Sequence, residues 1–394
     1  MSKLKLKQFP VLMLLGHDFL IPKIDPRVYK EAKTLISIGF EVTIIYLINN
    51  QSKITKFDQI QLLSLKDRVY LPGFKDKKIS SAMPRIIWGL ISNLINIVRV
   101  ANNLNFKIIH CHDVDTLIAG LLIKMLKFGR VKLIYDSHEI ATEMASFKPF
   151  RPFILLTEKF ASFWVDGFIT INKFAEIFLL KQYPRFKKMP LILKNVPFNS
   201  YTLVQPKIHY PLRFIYQGSL KKGRNEIIET IVKELNQYNS KLWHLDILCN
   251  IEELERNPVL LNNPQVTIRQ IIIDQTKFFK ELSKFDLGIV ATDRRCLNNY
   301  YSLPNKLFDY MISGVAVIAP NYPAIGQIIN ETKAGYLLDE FSSQQSIKNI
   351  IKEIIKKPKN ILQKKKNGLF WIRKKYNWNL EEAKLIDFYK KLLV

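Results

Sequence analysis

The residues best suited to chemistry fall in one stretch, NNYYSLPNKLFDYMISGVAVIA, residues 298–319. Asn298 to Pro304 is polar, aromatic and closed by proline, which predicts a loop. Asn305–Ser313 sets Leu307, Phe308, Tyr310, Met311 and Ile312 on and around one helix. Gly314 stops it, and the apolar run Val315–Ala319 suits a strand buried on both faces. Pro304 fits the helix start, where its missing N–H costs nothing. Such a start leaves backbone N–H groups facing outward at a positive dipole end, the geometry that receives a phosphate. Lys306 adds a cation in the first turn, where a purely structural helix favours an acid. One turn on, Asp309 offers two acceptor oxygens to a vicinal diol such as a ribose. Taken alone, the segment also reads as a connector helix with a solvated lysine and aspartate.

Three further groups carry chemistry. His110-Cys111-His112-Asp113-Val114-Asp115 ends one strand and leads into a helix, and Tyr135-Asp136-Ser137-His138-Glu139 ends the next. Two neighbouring strands thus finish in histidine plus carboxylate on one sheet edge, where ligand sites form. Capping or packing is the competing role for each histidine, above all for His110. As a metal site, His-x-His-Asp wants a third ligand that nothing near it in the sequence supplies. The third group, Gln217-Gly218-Ser219-Leu220-Lys221-Lys222-Gly223-Arg224, follows a strand and opens a helix. Gly218 and Gly223 permit close backbone approach, and Lys221, Lys222 and Arg224 bring charge to an anion on that helix start. It matches neither the P-loop nor the dinucleotide fingerprint, and a solvated basic turn is the other reading.

These groups need elements to hold them. The first half alternates short apolar runs with amphipathic helices: strands at 11–15, 42–47, 107–110, 132–135 and 168–171, helices at 27–38, 84–104 and 116–128. Such alternation implies right-handed crossovers and a parallel sheet. The pattern lapses after Leu193 into a stretch rich in Pro, Asn and Tyr up to Pro211, the expected linker. A second alternating set follows, with strands at 213–216, 243–248, 267–273, 287–290 and 315–319 and helices at 223–238 and 276–285. Ile372 to Leu393 reads as one terminal amphipathic helix.

The chain has 394 residues, enough for two cores, with 48% hydrophobic and 24% charged residues as in folded globular proteins. Cys111, Cys249 and Cys296 are odd in number and far apart, which argues against a disulfide scaffold or structural zinc and for a reducing compartment. The apolar run at Val11–Leu15 is too short for a signal peptide. The best membrane candidates, 86–100 and 153–171, are interrupted by polar and charged residues and do not span a bilayer. The net charge of +26 is spread over both halves and favours anionic partners: lipid headgroups, nucleotide diphosphates or nucleic acid. No nucleic-acid-binding module accompanies it, so nucleic acid is not expected as a partner.

In this order and spacing the segments resemble the family 4 group of retaining glycosyltransferases. The resemblance runs from the Asp25-Pro26-Arg27-Val28 region through the two histidine-bearing strand ends and YQGSLKKGR to PNKLFDYM and the terminal aromatic helix. It implies an α/β chain of GT-B architecture, two Rossmann-like doubly wound domains facing each other across a cleft. The expected divisions are 1–195 for the acceptor, 196–375 for a nucleotide-sugar, and 376–394 as a helix crossing back over both. It implies that Asp309 holds the ribose hydroxyls, that Pro304, Asn305 and Lys306 face the donor phosphates, and that Arg224 with Lys222 neutralises the diphosphate. His112 matches the family's histidine near the anomeric centre, with Gly218, His138, Glu139 and Asp113 in the substrate-binding surroundings. There are departures. Tyr301 stands where the first acid of the family's Glu-x7-Glu motif belongs, Gly218-Ser219 replaces Gly-Arg, and a glycine-rich loop is reduced to Gly16. Asp113 and Asp115 also match the Asp-x-Asp signature of metal-dependent glycosyltransferases of the other major fold, a three-residue pattern that recurs by chance.

The resemblance implies transfer of a hexose or related sugar from a nucleotide-sugar to a saccharide or lipid-linked saccharide of a cell-surface polymer, with retention and no metal or other cofactor. The protein is expected in the cytoplasm, at an anionic membrane surface. Two other readings stand beside it: a nucleotide-sugar epimerase of the same fold, and a non-enzymatic polyanion-binding protein.

Overall fold

The computed structural model describes residues 9–20, 24–48, 54–68, 79–144, 150–198, 205–220, 223–249, 258–270 and 275–394. The chain divides into two compact units, residues 1–193 with 382–394, and residues 194–381. The first break falls where the alternating pattern lapses, and the second falls inside the last helix.

The first unit is built from β1 (Val11–Leu15), α1 (Pro26–Ser37), β2 (Val42–Ile48), β3 (Lys56–Phe57), β4 (Ile60–Lys66), α2 (Ile79–Asn102) and β5 (Ile108–His112). It continues with α3 (Val114–Leu126), β6 (Lys132–Ser137), α4 (Arg151–Ala161), β7 (Gly167–Thr170), α5 (Lys173–Gln182) and β8 (Pro190–Ile192). The strands form one sheet in the order β3-β4-β2-β1-β5-β6-β7-β8, parallel except for the β3–β4 hairpin. The sequence order reverses at β1, with β2 on one side and β5 on the other, and crevices at such switch points receive ligands. Right-handed crossovers then set α1 on one face, with α2, α3 and α4 side by side on the other. β1, β5 and β7 are buried throughout, as strands covered on both sides must be.

The second unit holds β9 (Leu212–Gln217), α6 (Asn225–Leu235), β10 (Trp243–Cys249), α7 (Pro258–Leu261), β11 (Val266–Gln270), α8 (Gln275–Leu282), β12 (Leu287–Ile289) and α9 (Leu297–Tyr301). Then come α10 (Asn305–Ile312), β13 (Ala316–Pro320), α11 (Pro323–Thr332), β14 (Gly335–Leu338), α12 (Gln344–Lys356), α13 (Lys359–Lys374) and α14 (Trp378–Leu392). Six parallel strands run β11-β10-β9-β12-β13-β14, with the reversal between β9 and β12. Trp243, Ile228, Ile231 and Leu235 centre one core against this sheet. Lys365 of α13, itself buried, donates to Asp286 at 3.0 Å and to the carbonyls of Lys207 and Phe285. Those bonds pin the segment before β9 to the body of the unit. The last helix, α14, begins in this unit, where Trp378 N–H donates to the Pro197 carbonyl, and ends in the first, where Phe388 and Tyr389 are buried.

Several sequence expectations are corrected. Residues 298–304 do not form one loop, because Leu297–Tyr301 makes a helical turn with Tyr300 packed on Tyr322 at 5.2 Å. Burying those rings needs an ordered backbone. Pro84 does not begin α2 but lies inside it, as the sixth residue of the helix, where it removes one backbone hydrogen bond. The tail is not one helix. Asn377 donates its amide to the carbonyls of Ile372 and Arg373 at 2.9 and 3.0 Å, closing α13 before α14 starts. Residues 56–66 and the helices α4 and α5 escaped the sequence reading altogether.

Candidate functional site

Each switch point carries a polar cluster. In the first unit, strand period places alternate residues on one face, so His110 and His112 point the same way. Register then sets His112 beside Asp136 of β6. The two imidazoles stack at 4.3 Å between centroids. Over that face lies α1, whose N-terminus is capped by Asp25 accepting from the N–H groups of Arg27 and Val28. One turn apart, Arg27 and Glu31 project from α1 into the cluster. Arg27 grips Asp136 with two bonds, Nε to Oδ2 at 2.9 Å and Nη2 to Oδ1 at 2.6 Å, and donates Nη1 to the Leu193 carbonyl at 2.8 Å. Its Nε also lies 3.0 Å from Glu31.

The charges sort themselves by environment. Burial would raise Asp136, yet Arg27 and the neighbouring histidines outweigh it and hold the carboxyl well below its usual range. Burial, with Asp136 beside it, pushes Glu31 well above, so Glu31 is the neutral acid of the pair. Burial, with His110 adjacent, lowers His112 to about 3 and leaves it neutral. Burial opposes charge on His138 too, but Asp113 and Asp136 carry its pKa up to about 10. His138 is therefore the imidazolium of the site. Its Nε2 lies 3.0 Å from Asp136 and its Nδ1 3.3 Å from Asp113. Asp113 sits in the left-handed region, at φ 62° and ψ 171°, held there by accepting from the His138 N–H at 2.9 Å and donating its own N–H to the Asp136 carbonyl. Strain of this kind persists only where the surroundings enforce it.

The sequence-predicted residues separate here. His112, Asp113 and His138 come together. Glu139 is exposed, and the carboxylate that enters the cluster from this strand is Asp136. His112 is fully buried, while His138 and Asp113 keep partial exposure. His110 is tied to Tyr389 by a 2.7 Å bond between Nδ1 and the hydroxyl. Arg27, Glu31, Asp136 and Tyr389 were missed as site residues. The available signal was a charged pair, Arg27 and Glu31, at helical spacing inside the apolar stripe of Val28, Ala32 and Leu35.

The further metal ligands absent from the local sequence are supplied in space. Donor atoms of Glu31, His110, His112 and Asp136 lie within 4.8 Å of one another. The set fits a divalent cation poorly, because the Arg27 guanidinium already takes both oxygens of Asp136 and stands beside Glu31. A fixed cation repels a second one at that range.

In the second unit, β9 delivers Gln217 and Gly218 to the switch point. Gly218 has φ +128°, a conformation glycine adopts freely, and a Cβ there would lie 3.0 Å from Lys306 Nζ. Gly223, at φ +89°, similarly leaves room for the Asp293 carboxylate. Lys306, in the first turn of α10, donates to the Gln217 carbonyl at 2.8 Å and lies 4.9 Å from the centre of the Tyr216 ring. Asp309, one turn on, accepts from Gln217 Nε2 at 3.5 Å. Burial and the nearby Arg224 lower Lys306 to about 7, against the opposing pull of Asp309. Pro304 occupies the position before the first turn and no side chain caps the helix. Asn305 is exposed and Tyr301 half-buried. Arg224 stands directly before α6, and Lys222 lies outside the described residues. A cavity of about 570 Å³ adjoins this turn, lined by Gly223, Glu226, Asp293, Arg295, Tyr322 and Ser342 among others.

These two clusters, on two parallel sheets, are set in a known architecture. Sucrose-phosphate synthase from Thermosynechococcus elongatus superposes with a TM-score of 0.74, covering 98% of this chain and 99% of that one at 14% identity. HepE of Anabaena, in complex with UDP-glucose, gives 0.70 over 97% and 99% at 10% identity. In sequence, the chain is 22% identical over 298 residues to an uncharacterised glycosyltransferase of Methanocaldococcus jannaschii, covering 69% of this chain and 70% of that protein. No protein-family model matches. The fold is GT-B, and in sequence the chain is similar to a glycosyltransferase.

Proposed function

We propose that this protein is a retaining, metal-independent hexosyltransferase. It moves a sugar from a nucleotide-sugar to a saccharide or lipid-linked saccharide in cell-surface polysaccharide synthesis, working in the cytoplasm at the membrane. The observation that carries the reading is the grouping of Lys306, Asp309, Gln217 and Gly218 at the uncapped start of α10. That grouping suits a ribose attached to a diphosphate, and HepE, which shares the fold, was solved with UDP-glucose.

In the transfer, the bond from the anomeric carbon to the diphosphate oxygen breaks as the bond to the acceptor oxygen forms. The acceptor attacks from the face the diphosphate leaves, and its proton passes to the departing phosphate oxygen. Negative charge grows on that oxygen, where the α10 amides, Lys306 and Arg224 oppose it, the task a metal ion performs in other designs. Lys222 would add to this charge. In the first unit, the partly exposed His138 and Asp113 are the groups that meet the acceptor saccharide, while the neutral His112, buried behind His138 at 3.1 Å, positions it.

Thermal-shift measurements with UDP, GDP, ADP and dTDP, then with their sugars, test this. One base should stabilise the protein in proportion to ligand concentration. No response to any of the four would end the proposal. With the donor found, release of an altered nucleotide-sugar in the absence of acceptor would point instead to an epimerase. That activity is assigned, as putative UDP-N-acetylglucosamine 2-epimerase, to a Listeria monocytogenes protein that superposes with a TM-score of 0.57.

A further inference from the structure

The outer face of α2, α3 and α4 is apolar where a solvated surface should be polar. α2 buries Gly89, Asn93, Ile97 and Ala101 at four-residue steps, and Asn93 is anchored there by bonds to Asp67 and the Arg68 N–H. The opposite side of the same helix carries Ile87, Ile91 and Ile95, with Trp88 beside them 72% exposed. α4 repeats the arrangement. Ile154, Thr157, Glu158 and Ala161 turn inward, and Phe153, Leu156, Phe160 and Phe163 form an exposed stripe. Between these two helices α3 ends in Met125 and Leu126, and Phe128, just past its end, is 86% exposed. A two-sided apolar helix is ordinarily covered on both sides, and a patch of this extent marks an interaction surface.

The charge on this face is predominantly positive. No acidic residue occurs between Lys77 and His112, and the single acid of α4, Glu158, is buried, accepting from the hydroxyls of Tyr135 and Tyr183 at 2.7 and 2.8 Å. The exposed charges are Arg85, Arg99, Arg130, Arg151 and Lys159, with Asp115 at the start of α3 as the exposed acid. Among the described residues, no helix is long and apolar enough to cross a membrane. Aromatic and aliphatic side chains that project outward among cations match the boundary between headgroups and acyl chains.

We propose that this face, the outer side of α2, α3 and α4, lies on an anionic phospholipid bilayer, with Trp88, Phe153, Leu156 and Phe160 entering the headgroup layer. The proposal gives the membrane part of the functional reading its surface. It rests on the first unit alone, so its failure leaves the nucleotide site of the second unit untouched.

The test is co-sedimentation of the full chain with vesicles of phosphatidylcholine alone and of phosphatidylcholine mixed with phosphatidylglycerol. The protein should pellet with the anionic vesicles and release progressively above about 0.5 M salt as screening sets in. A Trp88→Ser, Phe153→Ser, Leu156→Ser, Phe160→Ser variant should bind at least about tenfold more weakly. Its unchanged thermal response to nucleotide would show that it is folded. Absence of binding to anionic vesicles, or equal binding to neutral ones, overturns the proposal. So does a dimer in sedimentation equilibrium that the same substitutions dissolve, since a second copy would then cover the face.

Discussion

Lys306 Nζ donates to the backbone carbonyl of Gln217 at 2.8 Å, tying the first turn of α10 to the end of β9. This bond joins the two elements on either side of the switch point, and it holds a lysine whose charge is costly where it stands. A group in that position gains most when an anion arrives, which links nucleotide binding to pH.

Burial and Arg224 lower Lys306 to about 7 in the free protein, so near neutrality it is partly deprotonated. A bound diphosphate favours the charged form, and binding then takes up a proton. Affinity for a nucleotide-sugar, whose diphosphate keeps constant charge over this range, should fall as pH rises from 7 to 9. Lys306→Met should bind more weakly and lose the slope. Calorimetric titrations in two buffers of different ionisation enthalpy measure the proton uptake directly. Equal slopes in the two proteins would remove Lys306 from the site.

Asp309 has a different task. A charge-assisted bond to ribose contributes about 1.5–3 kcal/mol, so Asp309→Ala should weaken nucleotide binding about tenfold or more, with a smaller loss for Asp309→Asn. Binding to heparin or another polyanion should hardly change. The polyanion-binding reading instead has Asp309→Ala leave the binding of both ligands unchanged, so the nucleotide titration of this variant decides between them.

Gly218 supplies a geometric test. An alanine there meets both a backbone conformation that L residues avoid and the Lys306 ammonium at 3.0 Å. Gly218→Ala should lower stability by about 1–3 kcal/mol and abolish the nucleotide response, whereas Ser219→Ala should leave stability near wild type. Denaturant midpoints measured alongside thermal shifts separate the two effects.

What the sequence disclosed, and what it hid, follows from the range of the forces involved. The helix at 305–312 was legible because its limits are local: Pro304 before it, Gly314 after it, an apolar face between. The parallel sheets were legible from alternation alone. The turn at 297–301 was not, since its rings are ordered by Tyr322 from another element. Nor was the break at Asn377, where a polar side chain turns back on carbonyls that any helix would expose. The candidate residues of the second unit, Gly218, Lys306 and Asp309, lie within short local motifs that the sequence itself displays. The centre of the first cluster, Arg27 with Asp136, joins residues 109 positions apart, and only the strand register brings them together.

That pair and its neighbour Glu31 give opposite stability predictions for similar-looking changes. Arg27→Met removes the two-bond partner of the buried Asp136 carboxylate and leaves it only the His138 imidazolium at 3.0 Å, which costs up to about 3–5 kcal/mol. Asp136→Asn should recover part of that loss in the Arg27→Met background, because it removes the buried charge. Glu31 is raised by burial and by Asp136, so it is protonated when folded and ionised when unfolded. Folding takes up that proton above the unfolded value near 4.5, and the contribution of Glu31 to stability, complete at lower pH, declines as pH rises toward its folded value. Glu31→Gln keeps the neutral shape and removes the titration. Its stability should therefore fall less than wild type between pH 5 and 8. Urea unfolding at each pH measures both curves; if they run parallel, Glu31 is ionised in the folded protein and the assignment of charge within the cluster is wrong.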